Sequence, residues 1–181
     1  LSGHPDMVHV PGVDMSTGSL GQGLACAGGM ALAGKLDGRD YRVYALMGDG
    51  EIEEGEIWEA AMAIHKYKLD NLCGIVDVNG LQIDGATADV MPSEPLDAKF
   101  AAFGWHVIKA DGHDFDSLRA ALAEARETKG KPSVILMRTV KGRGVSFMEN
   151  NAGWHGKAPN AEQYEQAHAE LSAAIEKLEV E

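Results

Sequence analysis

The strongest constraint on this chain is the stretch that runs from Gly48-Asp49-Gly50 to Asn79-Gly80-Leu81-Gln82-Ile83-Asp84-Gly85. An apolar run, Val43-Tyr44-Ala45-Leu46-Met47, leads into Gly-Asp-Gly. A segment with helical spacing follows, and a second apolar run, Leu72-Cys73-Gly74-Ile75-Val76, leads into Asp77-Val78-Asn79. Two buried strands joined by a helix make a parallel pair, and ligands of open parallel sheets bind outside the carboxyl ends of the strands. The pattern therefore brings the Asp49 carboxylate and the Asn79 side-chain carbonyl to one sheet edge. Both are hard oxygen donors of the kind Mg²⁺ or Ca²⁺ takes while it also binds phosphate oxygens. Glycines flanking Asp49 let the backbone approach an anion without a Cβ clash, and the following helix presents its N-terminus there. In isolation Gly-Asp-Gly is an ordinary tight turn, and a strand-end Asp could equally cap a helix. The Asn at the end of the next strand favours a site for a divalent metal and a diphosphate.

The rest of the chain alternates in the same way. Residues 1–18 read as loop, and Ser19 to Lys35 as a buried helix whose small residues allow close backbone packing, although its glycines oppose helix. Residues 42–47 read as strand, and Glu54 to Tyr67 as helix, with Ile57, Ala60, Ala61, Ile64 and Tyr67 on one face. Asn71 to Asp77 is the next strand. Residues 78–98 form a long polar connection, a kind usually functional in a compact domain. A short helix over Ala98 to Phe103, a strand over Trp105 to Ala110 and a helix over Phe115 to Thr128 capped by Asp114 follow. A last strand, Pro132 to Thr139, precedes a Gly-rich loop over 141–160 and a polar helix over 161–179. Alternation of strand and helix implies an α/β fold, a parallel sheet with helices on both faces.

With 181 residues the chain suits one domain with a full core. A formal charge of −12 argues against nucleic acid or an anionic membrane surface as partner, but not against a phosphorylated ligand held by a metal and backbone N–H groups. Cys26 and Cys73 both lie in apolar runs and are expected to be buried free thiols of a cytoplasmic protein. No apolar run reaches about 18 residues, the length of a membrane span. The chain opens at Leu1, in what reads as mid-loop, so upstream sequence is expected.

The Gly48-Asp49-Gly50-Glu51 segment, with Glu54-Gly55 and Trp58-Glu59-Ala60 behind it, and the Asp77 to Gly85 segment together resemble the thiamine-diphosphate motif of transketolases. Further segments fall in transketolase order. They are Gly3-His4-Pro5, Pro11-Gly12-Val13, Ser16 to Gly23, Phe103-Gly104-Trp105, Asp111 to Asp114, Lys141 to Gly144 and Trp154-His155-Gly156. The resemblance covers essentially the whole chain and is greatest to the N-terminal, diphosphate-binding subunit of a split transketolase lacking its extreme N-terminus. It implies one diphosphate-binding domain over 1–181, with a helical tail at about 161–181.

The resemblance implies metal ligation by Asp49, Asn79 and the Leu81 backbone carbonyl, with Mg²⁺ or Ca²⁺ as the ion. It places Gly48, Gly50 and Glu51 along the diphosphate, Gly18 and Leu20 against the cofactor, and Ile83 against the thiazolium. His4 and His155 match the family's active-site histidines, which bind substrate oxygens and move protons, work that suits an imidazole. Glu54 and Glu59 match acidic positions near the family's dimer interface. Their other reading is a solvated helix start favoured by the dipole, and the resemblance favours the interface for Glu54. His113 is expected to be structural in its turn.

The implied activity is transfer of a two-carbon ketol unit from a ketose phosphate to an aldose phosphate. The implied partner is a C-terminal subunit that carries the pyrimidine-binding domain, in an α₂β₂ assembly, without which the chain is expected to be inactive. The alternatives are a related thiamine-diphosphate enzyme such as a deoxyxylulose-phosphate synthase, a non-catalytic cofactor-binding subunit, or a fragment without a function of its own.

Overall fold

The computed structural model describes residues 4–179. Helix α1 (Gln22–Leu36) leads into strand β1 (Val43–Gly48), helix α2 (Gly55–Lys66) and strand β2 (Leu72–Val78). A small hairpin, β3 (Leu81–Gln82) with β4 (Gly85–Ala86), precedes the short helices α3 (Thr87–Val90) and α4 (Leu96–Ala102). Then come β5 (His106–Asp111), α5 (Phe115–Glu127), β6 (Ser133–Arg138) and α6 (Ala161–Glu179). The four long strands form one parallel sheet in the order β1-β2-β6-β5.

Handedness explains which helix lies on which face. The chain moves in one direction across the sheet from β1 to β2 and on to β5, then steps back to β6. Crossovers between parallel strands are right-handed, so the reversal sends α5 to the face opposite α2 and α4. Side chains divide accordingly. Leu24, Ile57, Ala61, Phe100, Val76 and Leu136 share one core with α1, α2 and α4. Cys73, Ile108, Ile135, Ala121 and Ala125 share the other with α5. Successive β2 residues, such as Leu72 and Cys73, feed opposite cores, as the two-residue period of a strand requires.

The larger core is closed by aromatic packing. Trp58 of α2 lies 5.1 Å from Phe100 and 5.3 Å from Phe103, and Phe100 meets Trp105 edge-on at 5.6 Å. Such pairs add about 0.5–1.5 kcal/mol beyond their burial. The buried indole of Trp105 donates to the Ala61 carbonyl at 3.1 Å, so its polar atom is satisfied.

Several expectations are corrected in detail. Helix α1 starts at Gln22 rather than Ser19 because Gly21 takes a left-handed φ of 89°, closed to most L-residues. A 3₁₀ turn over Glu51–Glu53 precedes α2, and Glu54 is extended at ψ 133°, so that helix begins one residue late. The 78–98 connection contains β3, β4 and α3, and α4 begins at Leu96, just after Pro95. The loop over 141–160 holds a 3₁₀ turn at Ala152–Trp154. Both thiols are free, but Cys26 is exposed and only Cys73 is buried, where burial pushes its thiol up to about 11. Helix α6 is less polar outside than its composition implies, since Tyr164, Leu171, Ile175 and Leu178 are exposed. Among the described residues no helix is long and apolar enough to cross a membrane.

Candidate functional site

Parallel pairing aligns Gly48 with Asp77, so the residues that leave β1 and β2 emerge side by side. The Asp49 N–H continues the ladder to the Asp77 carbonyl at 3.1 Å. The Asp49 side chain is only 2% exposed. Its Oδ2 accepts from the Gly80 N–H at 2.6 Å, whereas Oδ1 is buried with no hydrogen-bond partner. A buried carboxylate oxygen without a donor is costly in a folded protein. Burial raises the Asp49 carboxyl above its usual range, and the nearby Asp77 charge adds to this, against the lowering effect of the Gly80 and Gly50 N–H groups. A cation would reverse that balance. Asp77 is itself held by the Thr139 hydroxyl.

The loop after β2 is fixed from both sides. The Asn79 Oδ1 accepts from the Leu81 N–H at 3.0 Å, and the Thr87 N–H donates to the Gly80 carbonyl at 3.0 Å. The β3–β4 pairing of Leu81 with Ala86 closes the loop. Asp49, Asn79 and the Leu81 backbone thus belong to one hydrogen-bonded unit. Among the described residues there is no group of three or more His, Cys, Asp or Glu side chains that could hold a metal. An ion here would draw on one carboxylate, one amide oxygen and one backbone carbonyl, an all-oxygen set suited to Mg²⁺ or Ca²⁺ rather than a soft metal.

Glu51 organises the neighbouring backbone. One carboxylate oxygen accepts from the Gly21 N–H and the other from the Gly48 N–H, both at 3.1 Å. The start of α1 is thereby tied to the end of β1. A side chain at Gly21 would lie 2.7 Å from the Glu54 Cβ, so the close approach as well as the backbone angle requires glycine. A Cβ on Gly50 would lie 3.0 Å from that of Gln82. The N-terminal ends of α1 and α2 both reach this edge, where their N–H groups favour an anion.

The His4 ring is exposed and approaches Gly18, where a Cβ would come within 3.4 Å of it. Leu20 and Ile83 are apolar yet 63% and 67% exposed, so a ligand or partner could cover both. Glu54 and Glu59 are exposed at the start of α2, and His155 is exposed just after the 3₁₀ turn. Among the described residues no hydrogen bond joins His155 to Asp49, and the place of His155 in the site rests on the sequence motif. His113 accepts from the Val140 N–H at 2.8 Å through Nε2, as its structural reading expects. Sequence reasoning does not find the contact between Gln82 and Glu53, with the amide nitrogen 3.4 Å from the carboxylate and one buried oxygen on each side chain left without a partner. The Glu53-Glu54 doublet is the available signal, but which of the two turns inward depends on the 3₁₀ turn.

The profile of the family described as "Transketolase, thiamine diphosphate binding domain" matches residues 1–180. This chain belongs to the transketolase family. It is 49% identical over its full length to an apulose-4-phosphate transketolase subunit of Phocaeicola vulgatus, covering 64% of that protein. It is 47% identical over 94% of its length to the 6-deoxy-6-sulfo-D-fructose transketolase subunit of a Clostridium species, covering 62% of it. The chain thus spans somewhat under two thirds of these curated relatives. Among solved structures, transketolase from Pichia stipitis in complex with sedoheptulose 7-phosphate superposes with a TM-score of 0.83 at 30% identity, over 91% of this chain and 26% of that one. Transketolase from Campylobacter jejuni gives 0.80 at 34% identity, over 86% of this chain and 26% of that one. These transketolases share the thiamine-diphosphate-binding fold with this chain.

Proposed function

We propose that this chain is the diphosphate-binding subunit of a split transketolase that transfers a two-carbon ketol unit from a ketose phosphate to an aldose phosphate. The observation that carries the proposal is the buried, unpartnered Oδ1 of Asp49, hydrogen-bonded through its other oxygen to the loop that bears Asn79 and Leu81. The donor set fits Mg²⁺ or Ca²⁺, and the two converging helix N-termini fit a diphosphate. Thiamine diphosphate, when bound, supplies the electron sink for breaking a carbon–carbon bond beside a carbonyl.

The chain's own residues bind and orient. Asp49, Asn79 and the Leu81 carbonyl would hold the metal, and Gly48 and Gly50 would admit the diphosphate. Glu51 would keep the backbone at Gly21 and Gly48 in place. Gly18, Leu20 and Ile83 would pack on the cofactor and exclude water. His4 and His155 would bind substrate oxygens and hold or move a proton there. Glu54, exposed beside Gly21, would face the subunit interface.

Curated relatives named as transketolase subunits rather than whole enzymes support a partner chain that completes the site. The proposal includes an α₂β₂ assembly with that partner, in the cytoplasm, where two free thiols would remain reduced. Calorimetric titration of thiamine diphosphate with Mg²⁺, with and without the partner, tests it. Tight, metal-dependent binding in the mixture, accompanied by ketol transfer to an aldose phosphate, is the expected result. Binding under neither condition would overturn it, and turnover only with pyruvate as donor would move the chain to the deoxyxylulose-phosphate synthase reading.

A further inference from the structure

The opposite edge of the sheet, where β1 and β2 begin, holds a polar cavity of about 470 Å³. Lys35, Arg39, Arg42, Arg126 and Lys129 line it, against Asp40 and Asp70. This is a concentration of positive charge in a chain whose formal charge is −12.

The five cations are not equally engaged. Lys35 pairs with Asp70 at 2.7 Å and donates to the Lys68 carbonyl at 2.6 Å. Arg42 donates through its two Nη atoms to the Asp70 and Ala125 carbonyls, at 3.1 and 3.0 Å. Its buried Nε has no acceptor. Lys129 donates to the Arg126 carbonyl at 2.9 Å. Neither Arg39 nor Arg126 makes a side-chain hydrogen bond or ion pair among the described residues. The acidic charge of Asp70 is already taken up by Lys35 and by the Gly130 N–H, which donates to it at 2.8 Å.

Helix ends explain part of this arrangement. Lys35 closes α1, and Arg126 and Lys129 lie in or just past the last turn of α5, where cations complement the exposed carbonyls. That leaves unexplained the unpaired guanidinium of Arg39 and the open volume that it lines together with Arg126. Guanidinium forks match phosphate oxygens bidentately, with a fixed geometry that a single ammonium lacks. A cavity of this size takes a small metabolite rather than a lone halide.

We propose that this cavity is a binding site for a small phosphorylated anion, separate from the site at Asp49, with Arg39 and Arg126 as its main ligands. The test is thermal unfolding of the full chain in EDTA, titrated with inorganic phosphate at an ionic strength held constant with NaCl. The expected result is a saturable rise in Tm beyond the matched chloride series, because a ligand of the native state alone stabilises it. R39Q/R126Q should weaken the apparent phosphate affinity more than tenfold, and R39Q alone by a smaller factor. Both variants should keep metal-dependent thiamine diphosphate binding, and Asp49→Asn should keep the phosphate response, so this proposal and the proposed function fail independently. No rise beyond chloride, or an unchanged rise in R39Q/R126Q, would overturn the site.

Discussion

The Gly80 N–H donates to Oδ2 of Asp49 at 2.6 Å, which joins the ends of two neighbouring strands through one buried carboxylate. The other oxygen is buried and accepts no hydrogen bond from the protein, which leaves it available to a metal. Asp49→Asn keeps the shape and removes the charge. The variant should lose metal-dependent thiamine diphosphate affinity by more than the roughly 10–100-fold that outer-shell changes alone produce. Its metal-free form should unfold at the same or a higher urea concentration than the parent, since a desolvated charge has been removed. Calorimetry and urea unfolding on one preparation check both outcomes. A joint loss of affinity and stability would point to a structural role instead.

Glu51 makes a different prediction, because both of its oxygens are occupied by backbone donors from separate elements. Glu51→Ala leaves the Gly21 and Gly48 N–H groups without their acceptor, and hydrogen bonds to a charged partner contribute about 1.5–3 kcal/mol each. The variant should be destabilised in urea with or without metal, and should bind thiamine diphosphate more weakly. Glu51→Gln retains one acceptor and should fall between the two. Equal stability of the alanine variant and the parent would show that the clamp contributes nothing.

The contrast between Asp49 and Glu51 shows what the sequence makes legible. Strand ends follow from apolar runs, so the meeting of Asp49 with the Asn79 loop is readable from spacing. Resemblance places Glu51 along the diphosphate, whereas its carboxylate reaches back to Gly21, 30 positions earlier. No local pattern reports a partner at that distance. The hairpin β3–β4 also escapes sequence reading, because a pairing of two residues each lacks the alternation by which strands are recognised. Cys26 is misread for a related reason. Its surroundings are apolar, but small residues all around α1 conceal which face meets the sheet. The α5 cap is legible because its cause is local.

That cap gives a prediction of known size. The Asp114 carboxylate accepts from the Asp116 and Ser117 N–H groups, at 2.8 and 3.3 Å. Asp114→Ala should cost about 1 kcal/mol, and Asp114→Asn only a few tenths, because Asn caps nearly as well. Urea unfolding monitored by circular dichroism distinguishes them. An alanine variant as stable as the asparagine variant would mean that solvent satisfies these donors equally well.

Gly28 tests the close packing of α1 on α2. A Cβ there would lie 2.9 Å from Cγ1 of Ile64, itself only 2% exposed. Alanine would gain about 0.5–1 kcal/mol of helix preference but overpack a site that has little room to relax, at a cost of about 1–3 kcal/mol. Gly28→Ala should therefore be destabilising overall. Combined with Ile64→Ala it should cost less than the sum of the single changes, with a coupling of about 0.5–3 kcal/mol. Strict additivity in that cycle would place the two residues out of contact.

Asp70 should contribute stability that is lost in acid. Its carboxyl lies below the ordinary value of 3.8. Partial burial is the largest influence and raises it, but the Lys35 hydrogen bond, the Gly130 N–H and the charges of Lys35 and Lys129 together outweigh burial. A carboxyl with a lower value in the folded state than in the unfolded state binds fewer protons when folded. Its contribution to stability is therefore complete above the unfolded value and is lost as pH falls through the lower, folded one. Urea unfolding of the parent and Asp70→Asn, each followed from neutral pH into acid, should show a gap in stability that is constant down to the ordinary carboxylate range and closes below it. A gap that persisted unchanged below that range would mean that Asp70 acts through its neutral hydrogen bonds rather than its charge.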